Sequence, residues 1–157
     1  VLGCLLLAAG TVMAEEPAKT GASYRLNFAI HEVQQGKRVN TSAYSLVLEA
    51  NGINGRLRVS DKQSFKASMS QSFQYRDIGT SIDCKLEERA AGLVLYASVD
   101  LSSVDPSAPE GEPTIRQMRT EVKAAIPLGK SIRLATLDDV AVKRTYEVEA
   151  TASKLND

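Results

Sequence analysis

From Tyr24 onward the chain alternates. Tyr24, Leu26, Phe28 and Ile30 are apolar, with Arg25, Asn27 and Ala29 between them, a period of two that sends one face of a strand into a core and the other toward water. A second run, Tyr44, Leu46, Leu48 and Ala50, comes after the turn-forming Gln35-Gly36-Lys37-Arg38. Asn51-Gly52-Ile53-Asn54-Gly55 then gives two Asn-Gly reversal signals, because both residue types tolerate positive φ. Leu57 and Val59 continue the pattern. Residues 61–72 are rich in Ser and poor in apolar side chains, which predicts a long loop or an exposed hairpin. Phe73 and Tyr75 come next, then Ile82–Leu86, a turn at Ala90-Ala91-Gly92, and the run from Leu93 to Leu101.

Proline then breaks the pattern. Asp105-Pro106-Ser107-Ala108-Pro109-Glu110-Gly111-Glu112-Pro113 carries three prolines and three carboxylates, which no strand interior accommodates, so it reads as a surface loop. A strand from Ile115 to Ile126 turns at Pro127-Leu128-Gly129-Lys130, and two more runs close the chain, Ile132 to Leu137 and Tyr146 to Ala150. Apolar residues nowhere keep helical spacing over three turns. The prediction is an all-β fold, an antiparallel β-sandwich or open barrel of about eight or nine strands.

The first segment differs in kind. Val1–Ala14 has no charge and ends in Val12-Met13-Ala14, a small-residue cleavage pattern directly before Glu15-Glu16-Pro17. It predicts a signal peptide over 1–14, clipped at its start, then a flexible leader over 15–22 and one β domain over 23–154. The apolar run is shorter than the roughly 20 residues of a spanning helix, so the mature chain is expected to lack one. It is expected to be exported, to the periplasm or the outside. The 19 basic and 19 acidic side chains cancel, which argues against nucleic acid as a partner, since phosphate binding needs a clustered basic surplus.

Reactive groups are sparse. The chain has one His, and one Cys beyond the first few residues. Cys84 alternates with Ile82 and Leu86, which predicts a core thiol. His31-Glu32 begins like a zinc-protease motif but has no second His, and reads as an ordinary surface or capping residue at a strand end. Asp138-Asp139 and Glu87-Glu88 read as solvated charge, and no Gly-x-Ser-x-Gly elbow accompanies Ser64, Ser68, Ser70, Ser72, Ser102 or Ser103. Asn40-Thr41-Ser42 matches a glycosylation sequon, a pattern frequent by chance. The expectation is no enzyme, no cofactor and no metal.

Four blocks together form a larger pattern: Tyr75-Arg76-Asp77-Ile78-Gly79, the alternating Gly92–Val104 with its Ser-rich exit, Pro113-Thr114-Ile115-Arg116-Gln117-Met118-Arg119-Thr120-Glu121-Val122, and Gly129-Lys130-Ser131-Ile132-Arg133-Leu134. With the looser Gly55–Ser60, residues 55–139 resemble the core domain of the secretins, ring-forming outer-membrane proteins of bacterial type II and type III secretion systems. A Val-Thr-Pro-like strand end at Ile82–Leu86 and a Gly-Gly-Leu close at Leu134–Leu137 are absent, so the resemblance implies a shared strand order and not a pore. The function expected is a non-enzymatic protein-binding or envelope-assembly module, with a protein partner in the envelope and self-association both compatible with open sheet edges. The contact loop expected is Asp105, Pro106, Pro109, Glu110, Glu112 and Pro113. An alternative is a periplasmic carrier holding a small apolar ligand in a barrel.

Overall fold

A computed structural model describes residues 21–66, 73–105 and 114–155. Among these residues eight strands form, β1 (Ser23–Gln34), β2 (Lys37–Glu49), β3 (Gly55–Lys66), β4 (Phe73–Arg89), β5 (Gly92–Val104), β6 (Ile115–Ala125), β7 (Ile132–Asp139) and β8 (Arg144–Lys154), and no helix. They make two four-stranded antiparallel sheets, β2-β1-β8-β7 and β3-β4-β5-β6. Of the two architectures expected, the molecule is the sandwich: both sheets are open, and neither closes into a barrel.

The alternation read from the sequence becomes two facing core layers. Tyr24, Leu26, Phe28 and Ile30 of β1 and Val148, Ala150 and Ala152 of β8 meet Ile82, Cys84 and Leu86 of β4 and the Leu93–Leu101 face of β5 in one cluster. Small residues oppose large ones. Ala150 pairs with Phe28 and Ala97 with Cys84, so the aromatic ring and the sulfur each stand beside a small neighbour. Phe28, Leu26, Ile82, Leu86, Leu95, Val99 and Val148 are the largest fully buried side chains, each stabilising the fold by about 1.5–3 kcal/mol relative to exposure.

The connections explain the topology. Gln35 and Gly36 both take positive φ, 50° and 76°, as a two-residue type I′ hairpin requires, and they set the β1–β2 register that ends in Gln34 opposite Lys37. The chain leaves the first sheet through residues 50–54. There the Asn51 N–H donates to the Leu86 carbonyl at 2.9 Å, and the Glu88 N–H donates to Asn51 Oδ1 at 3.1 Å, so this corner is stitched to the opposite sheet. After the β3-β4-β5-β6 meander the chain returns, and the Gly129 N–H donates to the Ala152 carbonyl at 2.8 Å. The whole second sheet is thus an uninterrupted insertion between the two hairpins of the first.

One strand is longer than the sequence suggested. The runs at Phe73–Tyr75 and Ile82–Leu86 belong to a single strand of 17 residues. Its first part pairs only with β3, because the β4–β5 ladder starts at Thr80 opposite Leu101. The segment read as a loop or exposed hairpin is the outer part of this β3–β4 ribbon as far as Lys66; residues 67–72 lie outside the described residues.

Candidate functional site

The contact loop predicted from proline and carboxylates is described only at its ends. Pro106, Pro109, Glu110, Glu112 and Pro113 lie outside the described residues. Asp105 is placed, and it is buried. Its N–H donates to the Thr114 carbonyl at 2.8 Å, which clasps the two ends of the loop. Its carboxylate accepts from Arg116 Nη2 at 2.5 Å, while Arg116 Nη1 donates to Asp139 Oδ1 at 2.9 Å. Arg116 stands on β6 and Asp139 ends β7, so one guanidinium ties the loop base to both sheets. The paired charges face one another inside, where a hydrogen-bonded ion pair is stronger than on the surface. Asp139 is therefore not the solvated charge that its neighbour Asp138 suggested; it is 9% exposed.

His31 is also corrected. It is 7% exposed on the outer face of the first sheet, covered by charged side chains instead of standing free at a strand end. Its Nδ1 and the Thr41 hydroxyl are hydrogen-bonded at 2.8 Å, and its Nε2 lies 3.5 Å from Glu149 Oε2. Arg38 Nη2 donates to Glu147 at 3.1 Å and to Glu149 at 2.7 Å, and Arg133 reaches Glu147 at 3.1 Å from the far side. Burial pushes the Glu149 carboxyl up. The hydrogen bonds from Arg38 and Ser131 and the nearby charges outweigh it, so the group titrates below its ordinary value.

A third cluster covers the β4–β5 hairpin. Glu87 accepts from Arg89 at 2.6 Å, Lys85 at 3.1 Å and the Tyr96 hydroxyl at 3.2 Å. These bonds, Arg89 first, hold its carboxyl at about 2 against an ordinary 4.5. Glu87 is thus a hub of paired charge. Cys84 lies beneath this sheet face, buried as its alternation predicted, and burial together with the Asp83 charge pushes its thiol up to about 12. The sulfur packs in the core cluster with Ile82, Leu86 and Ala97.

The surfaces open to a partner are edges and the β3–β4 ribbon. Strands β2, β7, β3 and β6 lie at sheet edges, each with a row of backbone donors and acceptors on its outer side. On the ribbon, Phe73 and Tyr75 are 60% and 62% exposed. The ribbon separates from β5 at Gly79. There the Ser102 hydroxyl takes over both backbone groups, accepting from the Gly79 N–H at 2.9 Å and donating to its carbonyl at 3.3 Å. A side chain thus replaces the ladder and ends it. Among the described residues no group of three or more His, Cys, Asp or Glu is placed to hold a metal ion.

Arg116, Glu147, Glu149 and Ser102 carry these arrangements, and sequence reasoning did not single them out for these roles. Glu147 and Glu149 alternate with the apolar Tyr146, Val148 and Ala150, a signal that could have marked one charged strand face. Their partners stand far away in sequence, so register alone reveals them.

No protein-family model matches the sequence, and no curated protein matches it. Solved structures do. The chain is similar to the type III secretion injectisome secretin InvG of Salmonella, with a TM-score of 0.63 and 10% identity, over 87% of this chain and 65% of that one. It is similar to the type II secretion system secretin GspD of E. coli, with a TM-score of 0.55 and 10% identity, over 87% and 48% of the two chains. It is also similar to the secretin XcpQ of Pseudomonas aeruginosa, with a TM-score of 0.51 and 12% identity, over 87% and 57%. The chain spans less than two thirds of the length of each. The likeness is one of fold: this is a secretin-like β-sandwich, and the likeness reaches well beyond the 55–139 that carried the resemblance in sequence.

Proposed function

We propose that this protein is an exported, non-enzymatic module of envelope assembly that works through protein contacts along its open strand edges, its β3–β4 ribbon and the loop at 105–113. The observation that carries this reading is the secretin-like fold over 87% of the chain. Two of the similar structures support a protein partner. InvG has been described with the basal body proteins PrgH and PrgK, and PulD of Klebsiella pneumoniae with PulS and the PulC HR domain in an outer membrane complex. The apolar segment at 1–14 serves as the export signal, with 15–22 a leader after it. The domain works on the far side of the inner membrane, and its buried, charge-paired polar groups act as structure.

An edge offers main-chain hydrogen bonds to an added strand, and side chains beside it decide which strand fits. Val39 and Val47 on edge strand β2 are 54% and 55% exposed, so lysines at both positions are tolerated by the fold but disfavour strand addition by desolvation and repulsion. Native mass spectrometry of the chain, together with capture from envelope extract of its host, tests the reading. A defined oligomer or one specific partner, weakened by Val39→Lys/Val47→Lys or by replacing 106–113 with a short Gly-Ser linker, is expected. A chain that stays monomeric at all concentrations and retains no partner above background overturns it.

A further inference from the structure

The four edge strands show different chemistry to solvent. Between its two exposed valines, β2 presents Val39, Thr41, Ala43, Ser45 and Val47, none of them charged. β6 presents both signs, with Arg119, Glu121 and Lys123. β7 has eight residues and a register shift between Arg133 and Ala135, and an edge so short and irregular is a poor template for another strand. β3 stands apart. It runs for 12 residues against β4 with no register shift, and its outer face presents Arg56, Arg58, Ser60, Lys62 and Ser64, all exposed, with three cations and no carboxylate.

Two carboxylates of β4 share that face. Asp83 pairs with Arg56, and Asp77 stands opposite Lys62 in the register, while Arg58 and Lys62 have no ion pair among the described residues. Both carboxylates lie one strand further in. A chain added outside β3 would run about 4.8 Å from β3 and roughly 9.6 Å from β4, so the cations are the charges it meets first. On the opposite face β3 carries Val59, 52% exposed, and Asp61. Along the edge itself alternate residues send N–H and C=O outward, and among the described residues no strand pairs with them. Lipid headgroups would suit the cations, but a lipid surface leaves that backbone row unpaired at a high cost. A second copy of β3 is opposed by like charge. An extended acidic peptide satisfies the side chains and the backbone together.

We infer that edge β3 is the docking strand for an extended acidic segment of a partner protein, with carboxylates at alternate positions facing Arg58 and Lys62 and apolar or small side chains over Val59. This rests on the reading of open strand edges as contact surfaces, and it adds which edge is used and what the partner's segment is made of. Arg58 and Lys62 are four residues apart, about 13 Å along a strand, so acidic residues at i and i+4 of the partner fall on one face and match them. Main-chain hydrogen bonds hold the added strand, and the charges steer it and choose it. The cations that admit an acidic strand also turn away basic segments and second copies of β3, so one set of side chains both attracts and rejects.

A labelled synthetic peptide that alternates Glu with Val and Thr, titrated into the folded full-length chain and followed by fluorescence anisotropy, tests this beside a counterpart with Lys in place of every Glu. The acidic peptide is expected to bind, more weakly as salt rises, and the Lys peptide is not. Hydrogen exchange read by mass spectrometry should slow over residues 56–64 and stay unchanged on β2, β6 and β7. Arg58→Glu/Lys62→Glu changes two exposed side chains and should keep the unfolding midpoint, lose about tenfold or more in affinity for the acidic peptide, and gain binding of the Lys peptide. Equal binding of the two peptides, protection on another edge, or no binding of the acidic peptide at millimolar concentration would each overturn the assignment. So would binding to phosphatidylglycerol vesicles that depends on Arg58 and Lys62 while the peptide stays free. None of these results touches an oligomer or partner that depends on Val39 and Val47, so the broader reading of the edges stands or falls separately.

Discussion

Gly79 shows how much one residue can fix. Its φ of 153° lies where side-chain-bearing residues rarely go, and a Cβ there would sit 2.1 Å from the Val59 carbonyl oxygen and 2.8 Å from Ser60 Cα. Neither neighbour is a flexible side-chain end, so the backbone of β3 would have to move. Gly79→Ala is therefore expected to destabilise the fold by about 2–4 kcal/mol, combining the conformational cost with the clash, and urea unfolding reads it directly. Gly36→Asn, at a turn position with open space whose φ of 76° asparagine tolerates better than other side-chain-bearing residues, is the comparison for backbone strain without a clash and should cost less, about 1 kcal/mol. The sequence marked Gly79 only as the end of a motif. The reason for glycine is a contact across the ladder to Val59, which no local pattern contains. Cys84 is the opposite case: its burial comes from its place between Ile82 and Leu86, and it was legible at once.

At the scale of elements, the alternation of apolar residues located all eight strands in outline and failed at their ends. It split β4 in two because the stretch between Tyr75 and Ile82 joins an exposed ribbon to a buried sheet, and the apolar signal fades where burial does. It also said nothing of how charges on neighbouring strands meet. The β4–β5 hairpin is the clearest instance, with Glu87 bonded by Arg89, Lys85 and Tyr96. A carboxyl held at about 2 when folded, against 4.5 when free, adds stability that is complete above the free value and is lost as pH falls through the folded one. Glu87→Gln should thus narrow the stability difference between about pH 6 and about pH 2.5, with the two proteins converging at the acid end. Urea midpoints across that range check it, and an unchanged acid limb would show that the hairpin charges do not couple to folding.

For the molecule as a whole, the decisive polar feature is the Arg116 clamp. The guanidinium is 23% exposed, and its two carboxylates are 10% and 8% exposed. Arg116→Met keeps the length of the side chain and takes the Arg116 hydrogen bonds away from two buried carboxylates, so at neutral pH it should lower the urea midpoint clearly more than breaking an exposed ion pair such as Arg56–Asp83 does. Arg116→Met/Asp139→Asn should recover part of that, since the Asp139 side chain then carries no buried charge; equal losses in both variants would mean that packing, not charge, is the clamp's contribution. Sequence reading placed Asp139 in solvent, because the strand order that brings it to Arg116 is a property of the two sheets together. The secretin resemblance, resting on short blocks, did point to the fold that the structure has.

The insertion of one sheet into the other also dictates a sequence of events. The meander β3-β4-β5-β6 is built from neighbours along the chain and can close as each strand becomes available. The β1–β8 pair joins Tyr24 to Lys154, so the centre of the first sheet waits for the last strand, and long-range pairing of this kind is slow. A polypeptide threaded through a translocation channel with its N-terminus leading would therefore cross with its first hairpin still lacking a neighbour, and would zip shut only after its tail had emerged.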